Sequence, residues 1–319
     1  MTRFVRNHKS LSFILMLVTT SCGQGVSQRA ANQMSRVDSV PSATPSTDTE
    51  TYIPDQFGER MGEFIKEYTK EDHLSIMDFE VNREKRAKKI NAQKATEIEY
   101  ATLRQKQRVV AKFDSELDGL TKVRFGLFSF LNQNEKQLIV EQTSSKFWRY
   151  WIVRLRPTVR ILYDSGKYDI VYELRVADFD GDGNFEIIQN VGTFWYFDSL
   201  DNLYSPRPEI IFKYDSKGRY VPANPYFSEA ALRDIKERIN KTHEVIERKD
   251  GLAYNLHVRS AVLDVLVRYL YSGKPKEGWD FYNQNYKMED KESLRSDLIA
   301  QTRKDKLYRE IDRIVRGEP

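Results

Sequence analysis

Between residues 178 and 188 the chain reads Asp178-Phe179-Asp180-Gly181-Asp182-Gly183-Asn184-Phe185-Glu186-Ile187-Ile188. Carboxylates at alternate positions of a tight loop converge on one centre, and Gly181 and Gly183 permit the turn. A hard, anionic set of oxygen ligands of this kind suits Ca²⁺. Without a cation, four carboxylates this close repel one another. The competing reading is a polar β-turn in which the Asp and Asn side chains cap their own backbone.

The spacing separates two kinds of calcium loop. An EF-hand needs a bidentate Glu at its twelfth position and a helix on each side, but the twelfth residue here is Gln189 and the flanks read as strands. A carboxylate at the ninth position, Glu186, followed by Ile187-Ile188, resembles the calcium loops of FG-GAP and VCBS repeats, the integrin-like propeller blades. The resemblance implies that Asp178, Asp180, Asp182 and Glu186 give side-chain oxygens and Asn184 its backbone carbonyl. A shift of 49 residues lays Ser129–Ile139 over Asp178–Ile188, matching Phe130 to Phe179 and Leu138-Ile139 to Ile187-Ile188. Every ligand carboxylate is lost in the first copy, so it reads as a metal-free half-repeat whose loop is shaped by Asn132 and Asn134. Asp114-x-Glu116-x-Asp118-Gly119 lacks a ninth-position carboxylate and reads as an ordinary turn. The resemblance spans residues 123–221 at most, and a propeller needs at least four blades, so a complete one is not expected.

The elements that must hold this loop are strands. Segments 123–131, 137–142, 147–155, 158–163, 169–177, 185–191 and 208–214 are rich in β-branched and aromatic residues and are separated by Asn, Asp, Gly, Ser and Pro. They predict a small antiparallel meander or sandwich over residues 119–224. Trp148, Tyr150, Trp151 and Phe194 to Phe197 fall in or beside these strands, as core packing or as a sugar-stacking platform.

The flanks read as helical, giving an α+β chain. Residues 63–118 contain neither Gly nor Pro, and Lys, Arg, Glu, Gln and Ala dominate, which predicts helix over 56–118. Residues 80–112 carry ten basic groups against four acidic ones, with a thin stripe of Ala87, Ile90, Ala95, Ile98 and Ala101. Residues 225–319 are expected as a helical domain opened by a Ser228 N-cap. Leu232, Ile235, Ile239 and Ile246 mark one apolar face. Val262, Val265, Leu266, Tyr269 and Leu270 mark a second, and Leu294, Leu298, Leu307, Ile311 and Ile314 a further one. The run from Tyr269 through Gly273 to Trp279 resembles the turn of a tetratricopeptide-type helix hairpin.

The N-terminus addresses the chain. Arg3, Arg6 and Lys9 precede the apolar run Leu11–Val18, and Thr19-Thr20-Ser21 stands before Cys22, which predicts a secretory signal over 1–21. Ser21-Cys22-Gly23 resembles the lipobox of bacterial lipoproteins, although Thr19 stands where that family usually has Leu or Val. The resemblance implies acylation of Cys22, attachment to a bacterial membrane through lipid, and, with Gly23 rather than Asp next, the outer membrane if the source is Gram-negative. Residues 22–55 read as a flexible tether.

Removing the signal takes three cations and no acid from the 51 basic and 47 acidic residues. The remainder, 48 against 47, offers no basic excess for nucleic acid. Cys22 is the only cysteine, so no disulfide or Cys-ligated metal site is available within the chain. His73, His243 and His257 fall in expected helices without metal-ligand spacing, and no nucleophile elbow, phosphate loop or dinucleotide fingerprint is present. The expectation is a membrane-anchored envelope lipoprotein with a calcium-stabilised β module, binding or scaffolding an envelope protein or glycan. The alternative is an envelope hydrolase acting on polysaccharide or peptidoglycan.

Overall fold

The computed structural model describes residues 59–60, 68–69, 71–89, 95–115, 117, 120–131, 135–144, 147–168, 170–249 and 253–318. The expected signal, Cys22 and the tether lie outside these residues, as do Asn132, Asn134, Glu116, Asp118 and Gly119. The architecture is α+β, with three small antiparallel meanders of four strands followed by five helices. Among the described residues no helix is long and apolar enough to cross a membrane.

The first meander corrects the helix expected over 56–118. Strands β2 (His73–Ile76), β3 (Phe79–Lys89), β4 (Ala95–Gln105) and β5 (Arg108–Phe113) pair in sequence order, and β3 and β4 run together for eleven residues, from Phe79↔Gln105 to Lys89↔Ala95. His73 therefore lies in a strand. The apparent helical stripe is not a face: Ala87 and Ala95 are exposed, whereas Phe79, Val81, Ala101, Leu103 and Phe113 are buried at the period of a strand. The β4–β5 turn is Lys106-Gln107 with both residues left-handed, φ 47° and 67°. Such hairpin turns usually carry Asn-Gly or Asp-Gly, so the sequence has no turn signal at this point.

The second meander comprises β6 (Lys122–Phe128), β7 (Gln137–Thr143), β8 (Trp148–Arg154) and β9 (Arg160–Asp164). The third comprises β10 (Ile170–Ala177), β11 (Glu186–Val191), β12 (Glu209–Tyr214) and β13 (Tyr220–Pro222), with the two-residue strand β1 (Glu59–Arg60) on the β10 edge. All seven strands expected between 123 and 214 are present. The second sheet is buried on both faces, which explains its uninterrupted apolar runs. Leu138, Val140, Trp151 and Val153 pack with Val81, Leu103 and Phe125 on one side. Ile139, Tyr150 and Ile152 pack on the other side with Ile187, Val176 and Phe212 of the third sheet and with the helices.

A helical turn at Ser228–Ala231 precedes helices α1 (Ile235–Arg248), α2 (Tyr254–Tyr271), α3 (Pro275–Asn285), α4 (Lys291–Lys304) and α5 (Lys306–Arg316). Phe227, not Ser228, occupies the N-cap of that turn, and Ser228 is its first residue. The expected apolar faces of α2, α4 and α5 are the buried ones, with Val262, Leu266, Leu294, Leu298, Leu307 and Ile311 between 0% and 2% exposed. The α2–α3 hairpin is close: a Cβ on Gly278 would stand 3.0 Å from the Tyr269 Cβ and 3.1 Å from Leu266.

Phe125 is fully buried between the first and second sheets. Phe125→Ala is expected to cost about 3–5 kcal/mol in denaturant unfolding. Val109→Ala, on the exposed side of β5, should cost less than about 0.5 kcal/mol.

Candidate metal centre

The acidic loop joins β10 to β11. Asp178 follows the last residue of β10, Glu186 is the first of β11, and Ala177 pairs with Glu186 across the closing rung. Gly181 and Gly183 have φ of 69° and 80°, the left-handed backbone that glycine adopts without penalty. A Cβ on Gly181 would meet no atom within 4 Å, so it is conformation rather than space that calls for glycine there.

The hydrogen bonds leave particular oxygens uncommitted. Glu186 is fully buried, and its Oε2 accepts from the Phe179 N–H at 2.9 Å. Asp178 Oδ2 accepts from the Gly183 N–H at 3.0 Å, and Asp182 Oδ1 from the Asn184 N–H at 2.8 Å. The other oxygens of the first pair, Glu186 Oε1 and Asp178 Oδ1, are buried and have no hydrogen-bond partner. Ligand oxygens of Asp178, Asp180 and Glu186 lie within 4.8 Å of one another. This triad can hold a metal ion: two oxygens are preset by backbone donors, and burial makes leaving them unpaired costly. Of the residues expected as ligands, the fold gathers these three. Asp182 sits more exposed on the same loop, and Asn184 enters through its N–H.

Lys213, which sequence reasoning missed, reaches into the loop from β12. Its ammonium bonds Asp180, lies 3.1 Å from Asp182 Oδ2, and stands 3.8 Å from Glu186 Oε1. It arrives across the sheet through the β11–β12 pairing, in which Ile187 faces Phe212. No spacing within the motif announces it; only the register between two strands does. Burial pushes Glu186 up to about 7, with Asp180 and Asp182 adding to the rise and the Phe179 N–H and Lys213 opposing it. For Asp182, burial acts upward, but the Asn184 N–H and Lys213 outweigh it and hold the carboxyl below its ordinary value.

The 49-residue offset is visible in three dimensions. Phe128↔Gln137, Leu127↔Leu138 and Gly126↔Ile139 in the second sheet correspond to Ala177↔Glu186, Val176↔Ile187 and Arg175↔Ile188 in the third. Gln137 Oε1 accepts from the Phe130 N–H at 2.8 Å, the same bond that Glu186 makes to Phe179. The two loops also touch, through Phe185 N–H to the Phe130 carbonyl at 2.8 Å and ring contact between Phe128 and Phe185 at 5.6 Å.

No family model, curated protein or solved structure matches the chain. The chemistry of the loop therefore rests on its own geometry.

Glu186 binds its proton more tightly folded, at about 7, than at the ordinary value of 4.5. In the metal-free protein the stability tied to that proton is fully present below pH 4.5. It is lost as the pH rises through 7, by about 3 kcal/mol. Denaturant unfolding in chelator between pH 4.5 and 8 should show this decline, and Glu186→Gln should flatten it.

Proposed function

We propose that the chain is a cell-envelope lipoprotein, acylated at Cys22, whose β module is stabilised by Ca²⁺ and serves as a binding or scaffold protein. The observation that carries the metal reading is the fully buried Glu186, whose Oε1 is uncommitted and whose carboxylate offers an oxygen within 4.8 Å of oxygens of Asp178 and Asp180. An anionic oxygen without a donor in a dry site is stabilised by a cation and by little else. Calcium is favoured over softer metals because every donor is an oxygen and no His or Cys belongs to the group. The FG-GAP-like reading gains support from the repeat of register and hydrogen bond at an offset of 49. Three four-stranded meanders stacked in sequence are also the units from which propellers are assembled.

Lys213 competes with the metal. In its absence the ammonium supplies part of the neutralising charge, and an arriving divalent ion displaces it from Asp180 and Asp182. The residues would give Asp178, Asp180 and Glu186 as ligands, with Asp182 released from Lys213 to join them.

Thermal melts in millimolar Ca²⁺ and in chelator test the reading. At free Ca²⁺ near a hundred times the dissociation constant, one site adds about 2.7 kcal/mol and raises the midpoint by several degrees. An Asp180→Ala, Asp182→Ala variant should lack the shift. Lys213→Gln should tighten binding about tenfold by removing a like charge next to the ion. A melt indifferent to Ca²⁺ would leave the loop as a turn closed by Lys213. The anchor has its own test: Cys22→Ala should move the protein from the membrane fraction to the soluble one.

A further inference from the structure

The β10–β11 hairpin breaks its register once. Val171 pairs with Asn190 and Arg175 with Ile188, so three residues of β10 face one of β11. Within this bulge Tyr172 has left-handed backbone, φ 68°, a conformation that bulky residues adopt only where the surroundings impose it. Bulges re-aim side chains, and this one places the Tyr172 ring in the wall of a cleft of about 600 Å³. The loop that borders the cleft holds three more left-handed residues, Tyr196, Asp198 and Ser199.

The cleft is lined by the third sheet, this loop, α1 and α2. Its cations are not equally engaged. Arg238 pairs with Asp264 at 2.6 Å and Asp234 at 2.7 Å, and Arg268 with Asp264 at 3.3 Å. Glu209 receives both Arg175 and Arg233. Arg207 forms no ion pair among the described residues. Its guanidinium lies 5.1 Å from the Tyr172 ring centre and bonds the Asn202 carbonyl, while its buried Nε has no hydrogen-bond partner. Among the groups that line the cleft, three guanidiniums (Arg207, Arg238, Arg268) stand against two carboxylates (Glu209, Asp264). The excess is cationic and centred on the one arginine without a counterion.

Two aromatic surfaces line the same cleft. Tyr172 continues into Trp148 and Trp195, each 6.2 Å away. Tyr204 and His257 contribute a second surface, their rings 5.5 Å apart. A guanidinium presents a planar fork to an oxyanion, and tyrosine faces suit the C–H face of a sugar ring. A bare anion would need only the first. The volume accommodates a ligand larger than a simple ion.

We infer that this cleft binds an acidic saccharide, with a pyranose ring against Tyr204 and its carboxylate on Arg207, which Tyr172 holds in place from below. The inference rests on the reading of the chain as a binding protein and names the ligand class; it does not use the acidic loop. The test is calorimetric titration of the purified protein with a glucuronate-containing tetrasaccharide, its carboxyl methyl ester, and inorganic phosphate. Saturable one-site binding is expected, at least tenfold weaker for the methyl ester on the unaltered protein and for the tetrasaccharide on Arg207→Gln, with Tyr204→Ala also weakening it. Melting of each variant reports whether it is folded, and the methyl-ester arm needs no variant. Absence of saturable binding up to millimolar ligand, equal binding of the methyl ester, or phosphate bound as tightly as the saccharide would each overturn the inference. The calcium melt and the saccharide titration of the unaltered protein separate the two claims: saccharide binding without a calcium shift removes the metal reading alone, and a calcium shift without saccharide binding removes this one alone. The Asp180→Ala, Asp182→Ala variant should lose the shift and keep saccharide binding.

Discussion

One hydrogen bond, made twice, organises the centre of this molecule. The first residue of a returning strand sends its side chain back across an eight-residue loop to accept the N–H of the loop's second residue. Gln137 does this for Phe130, and Glu186 for Phe179. Each closure gives a backbone donor a side-chain acceptor that is itself fully buried, the bond being buried at Phe130 and partly buried at Phe179. It also holds the loop at the length that keeps the two strands in register. Glutamine performs this task neutrally. Glutamate performs it with an added charge in a site with no exposed surface, and that charge must be neutralised by a proton, by Lys213 or by a metal.

Each solution has a different cost. Protonation leaves Asp178 and Asp180 facing a neutral acid. Lys213 neutralises the outer carboxylates at close range but approaches Glu186 Oε1 only to 3.8 Å, and the buried oxygen still lacks a donor. A divalent cation on the triad would lie within reach of a carboxylate oxygen from each of Asp178, Asp180 and Glu186. Coulomb attraction grows as the medium becomes less polar, so the deepest oxygen, the one Lys213 serves least, gains most from such an ion. The loop is thus closed in chain geometry while its charge is only partly compensated.

The sequence exposes this logic unevenly. Strands 122–214 are legible because β-branched and aromatic runs alternate with turn residues, and the second sheet is apolar on both faces as a doubly covered sheet must be. The offset of 49 is legible because Phe and Ile pairs keep their spacing. The first sheet is not. Its long β3–β4 ladder is built largely from Lys, Arg, Glu and Ala, whose intrinsic preference is helical, and cross-strand pairs such as Lys85 with Glu97 at 2.9 Å support it instead. Its Lys106-Gln107 turn contains no glycine. Tertiary cover from the second sheet overrides local preference, and nothing in a single window reports it. Lys213 and Arg207 are hidden for a related reason: each matters through a partner across the sheet or around a loop, not through its neighbours in the chain.

The acidic loop and the cleft occupy opposite ends of one hairpin. Ala177 and Glu186 close one end, and Ile170 and Val191 the other, about 15–25 Å away at roughly 3.3 Å per strand residue. The bulge that strains Tyr172 lies at the cleft end, so the regular rungs near the acidic loop carry no information about it. Their surroundings also differ. The loop leans on the second sheet through Phe185 and Phe130, and on Tyr220, whose hydroxyl bonds the Phe185 carbonyl at 3.0 Å, so an ordered loop tightens the joint between two sheets. The cleft leans on α1 and α2 and on the ion pairs that link them, Arg238 with Asp264 above all. Sites this far apart with no shared partner contribute to stability nearly independently. A hairpin arranged in this way can therefore have its architecture secured by an ion at one end while the other end stays strained and open for a ligand.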